Sequence, residues 1–108
     1  MTRLRAACLL TASLVALMPL SAQAASFNCR LADKPDEVLI CQSRELSALD
    51  DRMSSLYFTL RNRLRGLQRS ALETQQTAWL RGRMACGRDF GCVLNAYNSQ
   101  IQVLLNWR

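Results

Sequence analysis

Four cysteines constrain this chain more than any other feature. Beyond the first 24 residues, Cys29, Cys41, Cys86 and Cys92 are spread over only 84 positions. A chain of that length buries only about 60–65% of the surface it exposes when unfolded, so cross-links matter to its stability. An even cysteine count in a small exported chain reads as two disulfides. Local pairing, Cys29 with Cys41 and Cys86 with Cys92, is the expected arrangement, and each bridge would contribute about 2–3 kcal/mol on the chain-entropy account. Crossed pairings would close longer loops and stay open at this point.

Export is itself read from the N-terminus. Arg3 and Arg5 precede an apolar run from Ala6 to Leu20, and Ala22-Gln23-Ala24 follows as a small-residue cleavage site. Residues 1–24 are expected to be a secretory signal peptide cut after Ala24. The remaining 25–108 would then form one helical domain, periplasmic or secreted, with no transmembrane segment after cleavage. Cys8 has no apolar stretch before it, so it does not fit a lipoprotein signal.

Other uses of the cysteines fit poorly. The spacings are C-x11-C and C-x5-C, unlike the C-x2–4-C knuckles of structural zinc sites, and the chain has no histidine. Neither pair is a C-x-x-C redox motif. No glycine-rich phosphate loop or nucleophile elbow is present. No metal, cofactor or catalytic activity is expected.

The periodicity predicts an all-α fold. Leu, Arg, Gln, Ala and Met dominate the domain, and all are good helix formers. Pro35 suits the first turn of a short helix. Ser43 can cap a second, from about Arg44 to Arg65, with a stripe at Leu46, Leu49, Met53, Leu56 or Tyr57, Leu60, Leu64 and Leu67. Gly66 reads as its stop, and Ser70-Ala71-Leu72-Glu73 as the capping box of a third helix reaching Cys86. Asp89 can cap a fourth, apolar at Val93, Leu94, Tyr97, Ile101, Leu104 and Leu105. Short connections favour a small antiparallel three-helix bundle with a short N-terminal helix, stapled by two disulfides. All four cysteines should then lie at one end, with Arg61, Arg63, Arg65 and Arg69 at the other.

Charge is segregated along the chain. Asp33 to Asp51 carries six acids against two cations, and Arg52 to Arg88 carries eight arginines against Glu73 alone. Export argues against nucleic acid as a partner and leaves anionic envelope components or an acidic protein. The candidate basic patch is Arg61, Arg63, Arg65 and Arg69, and the alternative reading of the domain is an envelope-associated interaction module that binds anionic lipid or cell-wall polymer through this arginine-rich end. Asp50 and Asp51, adjacent on one helix, read as solvated acids or salt-bridge partners. Gln76, Trp79, Leu80 and Arg83 share one helical face. Either Trp79 packs in the core with Gln76 and Arg83 at its margin, or the face is a binding hot spot.

Taken together, Phe27-Asn28-Cys29, Val38-Leu39-Ile40-Cys41, the Leu46-x-x-Leu49-Asp50 stretch, Gln76-x-x-Trp79-Leu80-x-x-Arg83, Cys86, Cys92 and Tyr97 give the chain a family resemblance. It resembles the N-terminal domain of the lysozyme inhibitor LprI family over nearly all of 25–108. The resemblance implies a disulfide-bonded helical fold and a binding role directed at a lysozyme or other muramidase. A basic lysozyme would need an acidic patch to dock on. On this reading the cystine end makes the contact, through Asp50 and Asp51.

Overall fold

A computed structural model describes residues 23–24 and 26–108, so most of the expected signal peptide lies outside the described residues. The described chain begins with a two-residue antiparallel pairing of β1 (Gln23–Ala24) and β2 (Phe27–Asn28), with Ala24 opposite Phe27. A single 3-10 turn over Cys29–Leu31 follows. Four helices make up the rest: α1 (Pro35–Gln42), α2 (Arg44–Arg63), α3 (Gly66–Ala85) and α4 (Phe90–Leu105). The all-α expectation holds.

Local chemistry explains most of the boundaries. Pro35 opens α1, where its missing N–H costs nothing. Ser43 ends α1 and caps α2, its hydroxyl accepting from the Leu46 amide at 3.1 Å. Asp89 caps α4 in the same way, accepting from the Cys92 amide at 3.0 Å. Gly87, with a φ of +57°, turns the chain out of α3.

One boundary differs from the sequence reading. The second helix ends at Arg63, and the third starts at Gly66 rather than at Ser70. Gly66 adopts a φ of +56°, so the chain reverses over Leu64 and Arg65. With that reversal made, Leu67, Gln68 and Arg69 extend the helix backwards, and Ser70 lies inside it instead of capping it. Leu67 therefore drops out of the α2 stripe and is 89% exposed.

Side-chain pairings fix the bundle's directions. Along α2, Asp50, Met53 and Arg61 meet Arg83, Gln76 and Glu73 of α3 in descending order, so these helices are antiparallel. Tyr97 of α4 is level with Asp50, and Gln100 with Gln76, so α4 runs parallel to α2. Ile40, Leu46, Met53, Leu60, Leu72, Val93, Tyr97, Ile101 and Leu104 form the core. The bridges are Cys29–Cys41 and Cys86–Cys92, the local pairing. Both sit at the end where α2 and α4 begin and α3 finishes.

Candidate functional site

Beneath the cystine end lies a buried charge cluster to which every helix contributes. Arg83 of α3 is at its centre and only 3% exposed. Its Nε donates to Asp36 Oδ2 of α1 at 2.8 Å, and its Nη1 donates to the Tyr97 hydroxyl of α4 at 3.3 Å. The same Nη1 lies 3.8 Å from Asp50 Oδ1 of α2. Tyr97 in turn donates to Asp50 Oδ1 at 2.8 Å. The lead-in segment closes the cluster: the Ser26 amide reaches Asp50 Oδ2 at 3.1 Å, and the Ser26 hydroxyl bonds the same carboxylate. The Phe27 and Trp79 rings flank the guanidinium at 5.4 and 5.6 Å.

Burial fixes the protonation states. It pushes the Tyr97 phenol far above its ordinary range; the Arg83 charge pulls against this and Asp50 adds to it. Burial alone would lower the Arg83 guanidinium, but Tyr97 and Asp36 outweigh it and hold the group above its usual value. At neutral pH the phenol stays neutral and the guanidinium charged. Neither of these two groups is poised to trade a proton near neutral pH.

An amide ladder continues the polar core one turn further on. Gln100 Nε2 donates to the side-chain oxygens of Gln75 and Gln76 at 2.7 and 2.8 Å, and Gln76 Nε2 donates to the Met53 sulfur at 3.2 Å.

A cleft of about 350 Å³ opens beside these groups. Gln76, Arg83 and Ser54 lie at its floor, and Phe27, Tyr57 and Leu80 are among its walls. Phe58 and Met84 also line it while standing 48% and 40% exposed. Ser54 is 2% exposed, and its hydroxyl has no hydrogen-bond partner.

The expected site residues fare differently. Of the two readings of Asp50, the ion pair is the one found, 3.8 Å from Arg83, and the solvated one is corrected. Asp50 is fully buried, because it falls in register with Leu46 and Met53 on the inward stripe of α2, so it is not available as a docking acid. Asp51, one residue on, is exposed. Trp79 is half-buried, with its indole N–H donating to the Ala96 carbonyl at 2.8 Å and its ring against Tyr97. Gln76 and Arg83 are not at the margin of the Trp79 packing but deeper than the ring itself. Arg61 and Arg69 both reach Glu73, at 3.7 and 3.3 Å. Arg65 donates to the Asn62 and Leu64 carbonyls at the turn, and Arg63 is exposed. Asp36, Tyr97, Ser54, Phe58 and Met84 were not singled out by sequence as site residues. For Asp36 and Tyr97 the signal was there, since both stand in register with apolar neighbours, Ile40 and Val93, four positions away.

No group of His, Cys, Asp or Glu among the described residues could hold a metal ion. No helix there is long and apolar enough to cross a membrane.

The model of the family described as Lysozyme inhibitor LprI matches residues 29–103. The chain belongs to the LprI family. That match takes in both disulfides, all four helical members of the buried cluster and most of the cleft. The chain is 32% identical over 79 residues to Lipoprotein LprI of Mycobacterium tuberculosis (strain ATCC 25618 / H37Rv), and equally to that of Mycobacterium bovis. The alignment covers 70% of this chain and 39% of each relative, so the chain spans about two fifths of the length of the curated proteins it matches. No solved structure matches it.

Proposed function

We propose that this domain is an exported, non-enzymatic binding protein that inhibits a lysozyme or related muramidase. Membership of the LprI family over 29–103 carries the reading. The cleft supports it by offering a place to bind. Phe58 and Met84 put apolar surface at its mouth, residue types enriched at the centres of protein interfaces, and the Ser54 hydroxyl at its floor has a free hydrogen-bonding capacity.

Charge argues for the cleft over the acids first expected to dock. With Asp36, Asp50 and Arg83 buried, 25–108 presents eleven cations against six acids, a net +5 at the surface. A basic lysozyme would be repelled at a distance, so contact rests on apolar burial, and salt should leave inhibition unchanged or improve it. The test is lysis of bacterial cell walls by lysozyme with the purified, oxidised protein at equal and tenfold molar ratio. Inhibition that weakens in Phe58→Ala/Met84→Ala supports the reading. Full turnover at tenfold excess, with a correctly folded domain by circular dichroism, refutes it.

A further inference from the structure

The end of the bundle away from the disulfides combines two features. The first is charge. Arg61, Arg63, Arg65 and Arg69 gather where α2 meets α3, and Glu73 is the acid that pairs with them, through Arg61 and Arg69. The second is exposed hydrocarbon. Leu67 follows the left-handed Gly66 at the tip and is 89% exposed, so it contributes almost nothing to the core. Because α4 runs parallel to α2, its last turn arrives at this same end, bringing Leu105 at 50% and Val103 at 39% exposure. Arg63 and Leu105 line one shallow groove with Leu56 and Leu60, so the cationic and apolar parts adjoin.

We propose that this end is a peripheral docking surface for an anionic phospholipid bilayer. The pairing of features selects the partner class. A charged glycan or polyphosphate would satisfy the arginines but offer no hydrocarbon to the leucines. A bilayer offers both: phosphates for the guanidinium forks and, just beneath, the acyl boundary into which a projecting leucine can sink. Four arginines against one glutamate leave three net charges, each worth roughly a fivefold gain in partitioning onto an anionic surface, or on the order of a hundredfold together. This surface is separate from the cleft, so the inference does not rest on the inhibitor reading.

The experiment sediments the exported, disulfide-bonded protein with vesicles of phosphatidylglycerol in phosphatidylcholine and with vesicles of phosphatidylcholine alone. Binding to the anionic vesicles is expected to be at least about tenfold tighter and to fall as salt rises. Arg63→Glu/Arg65→Glu should abolish it, and Leu67→Asn should weaken it several-fold. All three residues are exposed, and because Arg65 also bonds the Asn62 and Leu64 carbonyls, binding is compared only between variants whose circular dichroism and urea midpoint match the parent's. Arg81→Glu/Arg88→Glu makes the same change in net charge on exposed residues elsewhere and should retain most of the binding. Equal binding to both vesicles, an equal loss in the Arg81/Arg88 variant, or pelleting with an anionic polymer but not with vesicles would each overturn the assignment. The lysis assay can be run without lipid, so the two proposals fail independently.

Discussion

Replacing Arg83 with methionine keeps most of the side-chain volume and removes the one cation in the buried cluster. Asp36 at 1% and Asp50 at 0% exposure would then face each other's field with no compensating charge. Breaking a buried pair by deleting one partner costs about 3–5 kcal/mol, because the remaining charge stays desolvated. Here two carboxylates are left, and the hydrogen bond to Asp36 at 2.8 Å goes with the charge. Burial this complete leaves little solvent screening to discount. A domain of this size has only about 5–15 kcal/mol in hand, and its midpoint should fall by at least about 12 °C. Urea unfolding of the oxidised protein, followed by far-ultraviolet circular dichroism at neutral pH, measures the loss. Adding Asp36→Asn and Asp50→Asn to the Arg83→Met protein should restore part of it, since neutral amides no longer need the cation. A loss under about 1 kcal/mol from Arg83→Met alone, in the range of an exposed pair, would show that the cluster does not hold the helices as described.

Tyr97 gives a pH signature: its folded-state pKa is raised, so its contribution is fully present below the ordinary tyrosine value near 10 and is lost as pH climbs beyond it. Stability should therefore fall above about pH 10, and Tyr97→Phe should flatten that fall while losing the bond to Asp50. Replacing both Cys86 and Cys92 with serine should cost about 2–3 kcal/mol and leave helix content unchanged below the transition, as read by circular dichroism. Leu72→Ala, at a fully buried position, should cost about 2–5 kcal/mol, whereas Leu67→Ala should be near neutral in the same denaturant titration.

The helices were legible because apolar spacing and cap chemistry are local signals, whereas the local pairing of the cysteines was only the preferred one of three, since all four gather at one end. Ser43, Asp89, Gly87 and Pro35 each act through neighbours within a turn, and each does in the structure what its chemistry suggests. The α2–α3 boundary was not legible in the same way. Gly66 at a positive φ serves equally to end one helix or to start the next, and the Ser70–Glu73 pattern competed with a backward extension that sequence alone could not weigh. The site was harder still. Asp36, Asp50, Gln76, Arg83 and Gln100 are polar, and polarity counts towards the surface unless partners are known. Those partners lie on other helices, 47 positions apart for both Arg83 with Asp36 and Tyr97 with Asp50. A trace was available in register, since Asp50 follows Leu46 and precedes Met53 at helical steps, as Gln76 and Arg83 follow Leu72.

Each bridge joins consecutive cysteines, Cys29 to Cys41 and Cys86 to Cys92, with separations of 12 and 6. A chain threaded N-terminus first into an oxidising compartment would present the first pair alone and could seal it before the second pair appeared. Mispaired intermediates need both pairs free together, so order of arrival protects the native pattern, and little reshuffling by an isomerase would be required. No covalent tie spans α2 and α3, so the long hairpin between the two small loops can assemble, open and reassemble with both bonds intact.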